Sequence, residues 1–66
     1  MKIEVGMNFY DDANGRYITV NSINKGSKTA HCDVVETEWD EETDTETEVK
    51  DTALFTFNEL SHFEQR

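Results

Sequence analysis

The groups in this chain able to attack, ligate or shuttle protons are one cysteine, two histidines and fifteen carboxylates. Cys32 and His31 are sequence neighbours. On a strand, neighbours point to opposite faces, so the two cannot serve each other as nucleophile and base. Cys32 falls in line with Ala30 and Val34 and reads as a small buried apolar residue. His31 and His62 read as surface or half-buried packing residues. Acid–base work by paired carboxylates needs an apolar pocket that raises one pKa, and the carboxylates here crowd into a hydrophilic run. That run fails as an EF-hand: counting from Asp40, the sixth position is Thr45 and the twelfth Asp51, where Gly and Glu are required. The chain contains neither a G-x-x-x-x-G-K-[ST] phosphate loop nor a G-x-S-x-G elbow. These residues predict no enzyme, no cofactor and no dedicated metal site.

The elements that would position any site must fit into 66 residues, which is one domain with a small core, burying roughly 60% of its unfolded surface. The single cysteine rules out an internal disulfide, and no His/Cys pair has the spacing of a structural zinc site. A reducing, cytoplasmic location is expected. There is no apolar run long enough for a signal peptide or a membrane span. Seven aromatics spread along the chain (Phe9, Tyr10, Tyr17, Trp39, Phe55, Phe57, Phe63) argue for an ordered fold despite a net charge of -9.

Met7–Tyr10 is a short β-prone run, followed by Asp11-Asp12-Ala13-Asn14-Gly15, whose Asn-Gly is a strong hairpin signal. Arg16 to Ile23 is rich in β-branched and aromatic residues. Ile23 is out of phase with Ile18 and Val20, which predicts a bulge or strand end near Asn21-Ser22. Asn24-Lys25-Gly26-Ser27 reads as a turn, with Gly26 supplying the unusual dihedral. Strands from about 29 to 39 and 45 to 57 then complete an antiparallel meander. Asn58 is the expected N-cap of a closing helical turn that carries Leu60 and Phe63. The fold class is all-β: a small antiparallel meander or SH3-like barrel with a short C-terminal helical turn.

Function is most legible between Asp33 and Asp51, where ten acids face one base and carry the whole net charge of -9. Acids at even positions alternate with Thr, Trp and Val at odd ones, a strand signature that excludes an amphipathic helix. A hairpin over about 34–50 with a five-residue loop sets Val35 opposite Val49, Thr37 opposite Thr47 and Trp39 opposite Thr45. Glu36 then faces Glu48, and Glu38 faces Glu46. On that register one face is all carboxylate, with roughly one charge per 3.3 Å over its two strands, about half the density of duplex DNA at one per 1.7 Å.

Such a segment repels nucleic acid and anionic lipid and attracts a basic protein surface. The partner-binding candidates are Glu36, Glu38, Trp39, Asp40, Glu42, Asp44, Glu46 and Glu48. Trp39 either anchors a partner steered in by the acids or caps the open end of the core. A plainer role competes: charged edge strands keep a β protein soluble, and the chain would then be structural, with homodimers formed through exposed β-edges.

The stretch Val5-Gly6-Met7-Asn8-Phe9-Tyr10-Asp11 through Asn14-Gly15-Arg16-Tyr17-Ile18-Thr19-Val20, with Phe57-Asn58-Glu59-Leu60-Ser61-His62-Phe63 at the end, is similar to many small SH3-like barrel proteins encoded by bacteria and their phages. The resemblance covers most of the chain as a pattern of turns and apolar positions. It implies a protein- or nucleic-acid-binding module, and the acidity here departs from the basic surface of a nucleic-acid reader. In charge and size the chain also resembles small acidic phage proteins that block host nucleic-acid-binding enzymes.

Overall fold

Residues 2–66 are described by a computed structural model. Among them, β1 (Asn8–Asp11), β2 (Arg16–Asn24), β3 (Thr29–Asp40), β4 (Thr45–Thr56) and β5 (Glu64–Gln65) form one antiparallel sheet, with α1 (Phe57–Ser61) before the last strand. The spatial order is β4-β3-β2-β1-β5: a four-strand meander whose chain then returns to pair β5 with β1. The all-β meander expected from the strand and turn signals is the observed fold class.

The three hairpins share one loop design. Each strand pair closes on an Asp or Asn, with Asp11 opposite Arg16, Asn24 opposite Thr29 and Asp40 opposite Thr45, leaving four-residue loops. The last loop residue takes positive φ in all three: Gly15 at 63°, Lys28 at 55° and Asp44 at 55°. The side chain of the first residue ties the loop down. Asn24 Oδ1 accepts from the backbone N–H of Gly26 and Ser27 at 3.0 and 3.2 Å, and Asp40 Oδ1 accepts from that of Glu42 at 3.0 Å. Such local bonding is what Asx residues do in turns. The unusual dihedral of the second loop therefore sits on Lys28, and Gly26 does not supply it.

The bulge falls where the phase of Ile23 requires one. The β2–β3 register shifts between Val20 and Ser22, so Val20 opposes Cys32 while Ile23 opposes Ala30. Asn21 is the extra residue, and it returns Ile23 to the face that carries Ile18 and Val20. That inner face is the core. Phe9, Ile18, Val20, Ala30, Cys32, Val34 and Phe55 are buried on the sheet, and Ile3 and Leu60 are buried against them.

Helix α1 begins at Phe57, and its N-cap is Thr56 where Asn58 was expected. Thr56 Oγ1 accepts from Glu59 N–H at 3.1 Å and Glu59 Oε1 accepts from Thr56 N–H at 3.0 Å, a complete capping box. The reciprocal pair satisfies two end donors at once, an advantage Asn58 lacks because no Gln or Glu stands three residues beyond it. The helix ends at Ser61, and Phe63, just past the C-cap His62, packs edge-on against Phe55 with ring centroids 5.7 Å apart.

Candidate docking arm

β3 and β4 are each twelve residues long and pair without interruption from Thr29↔Thr56 to Asp40↔Thr45. β2 reaches only to Arg16, opposite Glu36. Beyond that point, Thr37 to Glu48 form a two-stranded ribbon with nothing packed on either side, and Thr37 to Glu48 are all exposed. The molecule is accordingly long and narrow, 46 × 17 × 15 Å. This arm holds seven of the fifteen acids and none of the six bases.

The pairing differs from the expected one by a single residue. Because the loop is Glu41–Asp44, four residues rather than five, Glu36 faces Val49, Thr37 faces Glu48, Glu38 faces Thr47 and Trp39 faces Glu46. A one-residue slip moves one strand's side chains to the other side relative to its partner. The single carboxylate face is therefore not formed. Glu36, Glu38 and Asp40 lie on the inner face with Thr45, Thr47 and Val49; Trp39 and Thr37 share the outer face with Glu46 and Glu48. Glu42 and Asp44 sit in the loop.

This register removes the two cross-strand Glu–Glu pairs, each of which would destabilise the hairpin by up to about 1 kcal/mol. It also halves the charge density of either face. Acids occupy only one strand per face, so neighbours are roughly 6.7 Å apart. DNA, at one charge per about 1.7 Å, is a much denser polyanion.

Trp39 is 58% exposed. It does not cap the core; it stands on the arm, directly opposite Glu46 and diagonal to Glu48. An aromatic face beside two carboxylates is an arrangement that attracts Arg or Lys side chains through cation–π and ionic terms together.

The arm is rooted by a polar cluster that sequence reasoning missed. Asp11 is buried, and its Oδ2 accepts from Arg16 Nη2 at 2.8 Å, Arg16 Nε at 3.3 Å and Asn14 Nδ2 at 2.8 Å. The Arg16 guanidinium, with help from Asn14, holds the Asp11 carboxyl below its ordinary 3.8 against the opposing effect of burial. Arg16 Nε also lies 3.8 Å from Glu36 Oε1. Among the described residues, Glu36 is the only one of the eight candidates with a basic partner. The available signal was Asp11 and Arg16 closing the same loop, five apart.

Elsewhere the reactive groups are dispersed. Cys32 is buried, and burial, aided by the Asp33 charge, pushes its thiol up to about 11, which leaves it protonated and unreactive. His31 is exposed on the outer face opposite Leu54, and His62 is exposed at the end of α1. No three His, Cys, Asp or Glu side chains among the described residues converge as metal ligands. No helix among them is long and apolar enough to cross a membrane. Compared with known proteins, the chain matches no family model, no curated protein and no solved structure.

Proposed function

We propose that this chain is a non-enzymatic, cytoplasmic binding module whose acidic arm docks on a basic protein surface of the kind that grips nucleic acid. The observation that carries the reading is the separation of the arm from the core: seven acids, no base and the exposed Trp39 stand on a ribbon that contributes no buried residue. The order β4-β3-β2-β1-β5 with a short helix before the last strand supports classing the fold as a small SH3-like barrel. Phage or mobile-element proteins of this size and charge that dock on host nucleic-acid-binding proteins are the proposed setting.

Capture of partners from a lysate by wild type and by the Glu36, Glu38, Glu46 and Glu48→Gln variant, each at low and high salt, tests the reading. Steering by exposed charge is screened over about 8–10 Å at moderate salt, so capture should fall both with salt and in the variant. Capture indifferent to both would rule the reading out. The unpaired outer edge of β4 favours a second reading, a self-associating β protein whose arm only maintains solubility, and sedimentation of a stable dimer by both proteins would support it.

A further inference from the structure

We infer that the outer edge of β4 along the arm is a strand-addition site for an extended, Lys/Arg-bearing segment of the partner. The inference rests on the docking reading above and says how docking is made. Phe57 N–H donates to Lys28 C=O at 2.9 Å, so that pair is hydrogen-bonded, and alternation along an antiparallel ladder fixes every pair before it. Phe55, Ala53, Asp51, Val49, Thr47 and Thr45 direct their main-chain groups to β3. Thr56, Leu54, Thr52, Lys50, Glu48 and Glu46 direct theirs away from the sheet.

Among the described residues, that edge is covered at two points in the packed half, with Leu54 and Lys50 left uncovered there, and is open throughout the arm. The outward N–H of Thr56 is taken by Glu59 Oε1 at 3.0 Å, and that of Thr52 by its neighbour Asp51 Oδ1 at 2.8 Å. Glu46, Glu48 and Lys50 have no such cover, and β4 is the last strand of the sheet on this side. Unpaired strand edges are templates for another strand.

Charge selects the occupant. A second copy pairing symmetrically about the open run would gain two Lys50–Glu46 pairs but would set Glu48 against Glu48 and lay two arms of seven acids side by side. An extended segment with basic residues every second position would instead set cations opposite Glu46 and Glu48. On the inner face the same edge adjoins a cavity of about 90 Å³ with Val34, Val49 and Ala53 as apolar walls, Asp51 and Thr52 on the β4 side, and the Arg16–Glu36 pair on the other. It can take the end of one side chain of the added strand, with Asp51, on the far side from Arg16, as the carboxylate for a terminal cation.

The test uses a short alternating Lys–Thr peptide and the same peptide N-methylated on the edge-facing residues, which keeps the charge and removes the pairing donors. Affinity is measured by titration calorimetry, and amide exchange of Glu46, Glu48 and Lys50 by NMR. Losing several main-chain hydrogen bonds should weaken binding about tenfold or more, and only the unmethylated peptide should protect the three amides. Equal binding of both peptides, weakened by salt, would overturn strand addition while leaving electrostatic docking intact. Binding of neither would overturn both. Protection of the same amides without peptide, in a sedimenting dimer, would make the occupant a second copy.

Discussion

The two halves of the β3–β4 ladder are made by the same strands and are held together differently. From Thr29 to Val35 on β3, the inward positions Ala30, Cys32 and Val34 are buried against β2, α1 and the N-terminal segment. From Glu36 onward the same inward positions are Glu36, Glu38 and Asp40, which face solvent and stand beside Arg16 and Val49, Thr47 and Thr45 of β4. One alternating pattern thus runs unbroken through a core and out into an arm, and only the chemistry of the inward residues changes. Regular pairing does not require burial when the loop is well closed and a packed half fixes the register. Isolated two-stranded hairpins are marginal in water, so the arm depends on the half that is packed.

The sharpest way to break this contrast is to remove a core anchor. Phe9→Ala, at a fully buried site, should cost about 3–5 kcal/mol, comparable with the whole stability of a domain of this size. Circular dichroism in urea should show loss of the arm's strands together with the core; an arm that persisted alone would contradict the dependence.

At the junction, Arg16→Leu strands the buried Asp11 carboxylate and should cost about 1–3 kcal/mol. The pH dependence follows from the sign of the shift. The folded-state pKa of Asp11 lies below 3.8, so the unfolded state takes up the proton first and the contribution is present above that pH. It fades as the pH falls through 3.8 and is gone below the folded-state value. Asp11→Asn should therefore flatten this part of the acid limb, and parallel stability curves for the two proteins would refute the assignment.

Asp44→Gly places the residue most tolerant of positive φ at a position of 55° and removes one arm charge. A gain of about 0.5–1 kcal/mol is expected in the same assay. Smallest of all should be the effect of excising the arm. Joining Glu36 to Val49, a hydrogen-bonded pair by the ladder's alternation, through Asn-Gly suits a two-residue hairpin turn. Stability should change by no more than about 1 kcal/mol, since no buried apolar area is lost; a larger loss would mean that the arm supports the core.

Much of this arrangement is legible in the residues. The first four strands, the bulge that brings Ile23 into phase, the acidic alternation and the closing helical turn all follow from local patterns, whereas β5, two residues long, carries no pattern of its own. The register of the arm does not, because Thr and Glu alternate identically on both sides of the loop and a shift by one residue leaves the pattern satisfied. What decides it is loop length. The clue lies in comparing Asp11 to Gly15, Asn24 to Lys28 and Asp40 to Asp44, each an Asx followed four residues later by the positive-φ position. The N-cap was also readable, since Thr56 and Glu59 have capping-box spacing, which outweighs the good single-residue propensity of Asn58. The Asp11–Arg16 pair is harder, because a carboxylate in a turn ordinarily faces water.

Trp39 is the chain's single tryptophan, and it stands on the arm while the aromatic residues buried in the core are phenylalanines. Its intrinsic fluorescence therefore reports on the arm: red-shifted already in the native state, sensitive to unfolding only through the loss of the ribbon around it, and ready to shift to the blue when a partner covers that ribbon.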